Sequence, residues 1–253
     1  MIRPTSIPYT LEDLLVEQAV CREALRLAFV HHKRLATGLR GMQRRRTIGE
    51  LFKQQQEHDL VHMLGLDLII GSGGVLSHAP ERRSAAFMLL DAYEPEGVTR
   101  LAVDSIFMMP HLGVFSSIHP EAATEIFLRD CLVDLGTVIA PSGQVPIGES
   151  TPLLEIVIEG IGEYRLSSGE LRCIELAESA TCQAVITPLA RTLDIGSGPG
   201  KVHRATLWGG HAGIILDGRG RPLELNARSD AADEGRRRSI AAWYEAFNLP
   251  YKS

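Results

Sequence analysis

The stretch LIIGSGGVLSH, Leu68 to His78, places three glycines in four positions directly after a short apolar run. An apolar run of this length, ended by glycine and followed by a helix-like segment, reads as a buried strand running into a strand-to-helix turn. Such a turn lets backbone approach a flat or anionic ligand, because no Cβ stands in the way and a helix N-terminus offers free N–H groups. It also serves simply to turn a tight corner, and the string alone leaves both readings open. The string lacks the third glycine of the dinucleotide fingerprint at the required spacing, and it is not a Walker loop.

Working outward, TLEDLLVEQAVCREALRLAFVHHKRLATGLRG begins on a capping threonine, Thr10, and carries acids early and bases late. Leu14, Ala24, Leu25, Ala28 and Leu35 recur at helical spacing, which predicts a long amphipathic helix. Downstream of the turn, Pro80 to Asp91 reads as a helix, Leu101 to Val103 as a strand and PEAATEIFLRDCLV from Pro120 as another helix. Strands alternating with helices predict crossovers and a mostly parallel sheet. Beyond Leu135 the texture changes to short β-type runs, among them GTVIAP, LLEIVIEG, TCQAVITP and AGIILDG, separated by glycine, proline and serine turns. That spacing predicts a small β-barrel or sandwich, followed by a final helix in SDAADEGRRRSIAAWYEAFNL. The expected division is an α/β unit over residues 1–140 and a β-rich unit with a C-terminal helix over 141–253.

Composition narrows the class. The chain has 253 residues, 45% of them apolar, and a net charge of -5, so it can bury a sizeable core and has no overall attraction to nucleic acid or anionic membrane. Arginine outnumbers lysine 22 to 4 and bunches at Arg44 to Arg46 and Arg236 to Arg238, which read as solvated, carboxylate-pairing helix faces. Four cysteines with no C-x-x-C pair suggest reduced thiols, and no run reaches the roughly 18 apolar residues that a membrane span needs. A cytoplasmic protein is expected.

Several motifs compete for a functional reading. LDIGSGPGK, Leu193 to Lys201, is one residue short of a P-loop and carries Val202 where the metal-binding hydroxyl belongs, so a glycine-rich hairpin is expected there. His58 and His62 share a helical face but lack a third ligand, and Ser77-His78 lacks a nucleophile elbow. Asp104, Ser105 and His111 follow a predicted strand, where open α/β sheets place ligand crevices. Met108 and Met109 beside them are expected in the core. Asp217, Arg219 and Arg221 are expected to pair on the surface of a glycine turn. No nucleophile, base and orienting group converge, so no catalytic residue is predicted.

Taken together and in order, LIIGSGGVLSHAP, EPEGVTRLAVDSIFMMPHLGVFS, HPEAA, GTVIAPSG and IILDGRGRPL resemble the carboxy-terminal half of the MutL/GlmL family, from about Val20 onward. Its members accompany adenosylcobalamin-dependent glutamate mutase, belong to the actin, sugar-kinase and heat-shock-chaperone ATPase superfamily, and are thought to reactivate the mutase. The resemblance implies the second lobe of an actin-like ATPase, with Gly71, Ser72, Gly73 and Gly74 as the adenosine turn and Asp104 beside it. It implies ATP or ADP as ligand, magnesium accompanying the nucleotide, no bound cobalamin, and mutase subunits as partners. The first-lobe phosphate turn of the family, D-x-G-S-T-x-T-K, has no counterpart here, so a second polypeptide or a homo-oligomer is expected to complete the site. The nucleotide is then expected to bind weakly and not to be hydrolysed by this chain alone. A kinase or hydrolase lobe completed by another protein, and a non-catalytic interaction module, remain as alternatives.

Overall fold

The computed structural model describes residues 7–39, 61–144, 150–223 and 230–251, so Arg44 to Arg46, His58 and Asp59 lie outside the described residues. In chain order the elements are α1 (Leu11–Leu39), β1 (Leu68–Gly71), a one-turn α2 (Gly74–Ser77), α3 (Arg82–Tyr93), β2 (Gly97–Asp104), α4 (Met109–Phe115), α5 (Pro120–Ile126) and β3 (Leu132–Ala140). There follow β4 (Pro152–Ile158), β5 (Gly162–Ser167), β6 (Leu171–Ile174), β7 (Thr181–Pro188), β8 (His203–Trp208), β9 (Gly213–Asp217) and α6 (Asp230–Ala246).

Thr10 starts α1 as expected. Its Oγ1 accepts from the Asp13 N–H and donates to the Asp13 carboxylate, satisfying one of the free amides of the first turn. The face that packs inward shares Leu25 with the predicted stripe but is otherwise turned away from it. Leu15, Cys21 and Leu25 meet the core, whereas Ala24, Ala28 and Leu35 face solvent. The inward face also carries Gln18 and Arg22, polar residues that apolar periodicity cannot register, and Arg22 lies over the Phe87 ring 4.7 Å from its centroid.

Five strands form one sheet in the order β1-β2-β3-β9-β6. Pairs β1/β2 and β3/β9 are parallel, but β2/β3 and β9/β6 are antiparallel, so the sheet is mixed where a mostly parallel one was expected. The reason lies between β2 and β3. Two short helices and a π turn at Phe127–Cys131 bring the chain back at the end where it left, with no crossover. The helix expected to run from Pro120 to Val133 therefore stops at Ile126, and β3 begins at Leu132. Gly136 and Gly213 face each other across β3 and β9, and a Cβ on Gly136 would lie 2.0 Å from the Gly213 carbonyl oxygen.

The remaining strands form an open antiparallel sheet, β5-β4-β7-β8. It does not close on itself, so the barrel is ruled out; instead the two sheets lie face to face. Ile139, Ile214 and Leu216 of the first sheet share a core with Leu154, Ile156, Ile186 and Leu207 of the second. The intervening residues Val138 and Ile215 point the other way, into a core with Phe87, Met88, Tyr244 and Phe247 from the helical layer. Because both faces of the first sheet are covered, all five residues of β9 are buried, and the sequence shows an apolar run without alternation up to Leu216, with Asp217 buried at its end. This central sheet takes strands from both sides of Pro141.

Candidate functional site

The glycine turn begins where β1 ends, beside the end of β2, with Gly71 paired to Val103. Its three glycines have separate tasks. A Cβ on Gly71 would meet Leu76 Cδ1 at 2.9 Å and Leu89 Cδ2 at 3.0 Å, so this position admits the side chains beneath the turn. Gly73 has φ 117° and ψ 157°, a conformation that residues with a Cβ avoid. Its carbonyl accepts from the Ser77 N–H at 2.8 Å and so starts α2. Neither Gly73 nor Gly74 has any atom within 4 Å of where a Cβ would lie, and the backbone there faces open space.

Asp104, the last residue of β2, ties this turn to the next loop. Its carboxylate accepts from Ser72 Oγ at 3.1 Å, from the Met108 N–H at 3.0 Å and from the Met109 N–H at 2.8 Å. It thereby caps α4 and holds the glycine turn with the same two oxygens. Burial by itself would raise the pKa of this carboxyl, but the amides of Met109 and Met108, the Ser72 hydroxyl and the Ile106 amide outweigh it and hold the pKa below the usual carboxylate range. Ser77 is buried and its hydroxyl donates to the Asp104 carbonyl, while His78 is exposed, so the two form no nucleophile and base pair.

The loop that Asp104 organises departs from expectation. Met109 is exposed and Met108 half-buried, so these methionines do not fill the core; Leu112 takes that place on the inward face of α4. Phe107 adopts φ 58°, a strained backbone for a bulky side chain, and is 47% exposed. Val114 and Ile118 are more exposed still, and His111 lies on the solvent side of α4. Ser105 donates its N–H to the Cys131 carbonyl and serves to turn the chain. Sequence offered no signal for the conformation of Phe107.

The other motifs resolve structurally. In the Leu193 to Lys201 loop, Asp194 Oδ1 accepts from the Gly196 N–H at 2.7 Å and the Gly198 N–H at 2.9 Å, so a carboxylate of the chain itself takes amides that a phosphate would need. The loop joins the antiparallel strands β7 and β8. Asp217, Arg219 and Arg221 do pair, but in the interior and not on the surface. Arg219 reaches Asp217 at 2.9 Å and Asp91 at 2.9 Å, Arg221 reaches Asp217 at 2.8 Å, and Arg22 lies 3.3 Å from Asp91. Burial pushes the Asp217 carboxyl up, but the guanidinium groups of Arg219 and Arg221 more than reverse this and hold it well below the usual range. Asp91 and Arg22 escaped notice because each sits alone in a helix, far from the others in sequence.

Two clefts lie elsewhere. One of about 490 Å³ is lined by Phe29, Lys33, Tyr93 and Glu94 among others, and one of about 390 Å³ by Arg100, Thr137, His203 and Trp208 among others. Gly71 to Gly74 and Asp104 line neither of them. Among the described residues no group of three or more His, Cys, Asp or Glu side chains is placed to hold a metal ion, and no helix is long and apolar enough to cross a membrane.

A family model described as MutL protein matches residues 1–131, about half of the chain and including the glycine turn, Asp104 and α4. Comparison with curated proteins and with solved structures returned no match.

Proposed function

The chain belongs to the MutL protein family, and on that premise we propose that it is an accessory, reactivating factor for an adenosylcobalamin-dependent amino-acid mutase such as glutamate mutase. In this reading it is the second lobe of an actin-like ATPase and holds the adenosine end of ATP or ADP. The observation that carries it is the open backbone at Gly73 and Gly74, fixed from below by Asp104 and unobstructed above. A planar base can lie on peptide groups that no side chain shields, and the cost of ordering the turn is already met by the hydrogen bonds of Asp104. Asp104 acts as a positioning residue, since its oxygens are engaged by Ser72, Met108 and Met109. A completing surface comes from a first lobe on another polypeptide or from a second copy, and magnesium arrives with the nucleotide phosphates. Exposed Phe107, directly before the amides that the same aspartate binds, and exposed Val114 farther along α4 supply apolar surface for the mutase.

The test is twofold. Titration with a fluorescent ADP analogue is expected to show weak binding that Gly74→Leu abolishes without altering thermal stability. Mutase subunits are expected to copurify with the chain and to be released by ATP. Unchanged nucleotide affinity in Gly74→Leu overturns the site, and failure to retain any mutase subunit overturns the partner.

A further inference from the structure

Helix α1 has apolar residues on two sides. One side packs on the core through Leu15, Cys21 and Leu25. The opposite side carries a second line of residues, Asp13, Val16, Val20, Glu23-Ala24, Leu27, His31 and Arg34, all exposed and spaced three or four apart. Val16, Val20 and Leu27 are 57%, 44% and 42% exposed, a continuous apolar stripe on a helix whose other face is already satisfied.

We infer that this face pairs with the same face of a second copy of the chain, antiparallel, about a two-fold axis passing between Glu23 and Ala24. The argument is the order of the line when it is reversed. Turned end for end about that point, Val20 faces Leu27, Val16 faces His31, and Asp13 faces Arg34 of the other copy, so apolar residues meet on either side of the axis and opposite charges at the ends, while Glu23 at the axis is paired with Arg26 of its own helix. The charges flanking the stripe follow the same rule. Glu12, Asp13, Glu17 and Glu23 occupy the first half of α1, where the one base, Arg22, is turned inward over Phe87, and Arg26, His32, Lys33 and Arg34 occupy the second. A parallel pairing would set acid against acid and base against base, whereas an antiparallel one brings the acidic half of each helix to the basic half of the other. The small side chain of Ala24 at the axis lets the helices approach closely. The line from Asp13 to Arg34 extends over about 32 Å at the rise of an α-helix, and an isologous contact uses it twice.

Sedimentation equilibrium of the full chain tests this. A dimer is expected, weakened by added salt. Because symmetry places every substitution in the interface twice, Leu27→Glu is expected to weaken association at least about tenfold, as is Arg34→Glu, which opposes like charges at both ends. Combining Arg34→Glu with Asp13→Lys is expected to restore association. With copper–phenanthroline as oxidant, Ala24→Cys is expected to yield a disulfide-linked dimer beyond the wild-type background, and Leu35→Cys, far from the axis, is not. Circular dichroism of each variant checks that the fold is kept. A chain that stays monomeric at the highest attainable concentration overturns the inference. So does a dimer indifferent to Leu27→Glu, or one cross-linked equally well from position 35.

Discussion

Replacing Asp217 by asparagine is expected to damage the fold more than replacing Arg219 by methionine, although the two residues share the same ion pair. The buried network holds two carboxylates, Asp91 and Asp217, and three guanidinium groups, Arg22, Arg219 and Arg221. Asp217 accepts from the Arg219 N–H, Nε and Nη2 and from Arg221 Nη2, all between 2.8 and 3.0 Å. Asparagine leaves one carboxylate among three cations and turns an amide N–H toward guanidinium donors. Breaking a buried pair in this way costs about 3 to 5 kcal/mol. Methionine at position 219 leaves two carboxylates and two cations, since Arg221 still meets Asp217 and Arg22 still meets Asp91. It also fills volume against the Trp243 ring, over which the guanidinium carbon sits at 4.8 Å. That change is expected to cost about 1 to 3 kcal/mol, nearer the range in which an apolar replacement offsets the lost pair. Against a total stability of about 5 to 15 kcal/mol, the asparagine variant loses a large fraction of its margin, and its melting temperature falls by roughly 6 to 20 °C. Urea unfolding followed by far-ultraviolet circular dichroism measures both. Equal costs, a larger cost for Arg219→Met, or a cost below about 1 kcal/mol for Asp217→Asn would refute the charge-balance argument.

Other outcomes follow from the same geometry. Gly73→Ala is expected to destabilise by about 1 to 3 kcal/mol through backbone strain alone, because nothing lies near the added methyl; Gly74→Ala, equally uncrowded and without a positive φ, is expected to change stability by less than about 0.5 kcal/mol in the same urea assay. Both Asp104 and Asp217 have folded-state pKa values below the ordinary 3.8, so the stability they contribute is present above that pH and lost as the pH falls through their folded values. Urea midpoints are therefore expected to hold at neutral pH and drop steeply below about pH 4, and an unchanged midpoint in acid would contradict the assignment. Burial pushes the Cys173 thiol up to about 12, so a thiol reagent at pH 8 is expected to label it rapidly only after unfolding; quick labelling of the folded chain would show that it is not shielded.

Much of the architecture was legible in the chain because it depends on local chemistry. Thr10 and Asp13 announce the start of α1, TCQAVITP alternates as β7 does, and Pro120 opens α5. The glycine turn was legible as a turn, and its neighbour Asp104 as a residue at a strand end. Periodicity shows which residues share a face, but not what covers that face. Ala24 and Leu35 recur like core residues and yet lie on the outward side of α1, because Gln18 and Arg22 claim the inward one. Met109 looks like core and is exposed because the carboxylate of Asp104 fixes the start of α4. Asp217, Arg219 and Arg221 look like a surface hairpin and are buried because Asp91, Arg22 and Trp243, distant in sequence, close over them. Hydrogen bonds within a turn or a cap link residues a few positions apart, so sequence order displays them. Burial and charge compensation link residues from two dozen to more than a hundred positions apart, and only the folded chain brings those together.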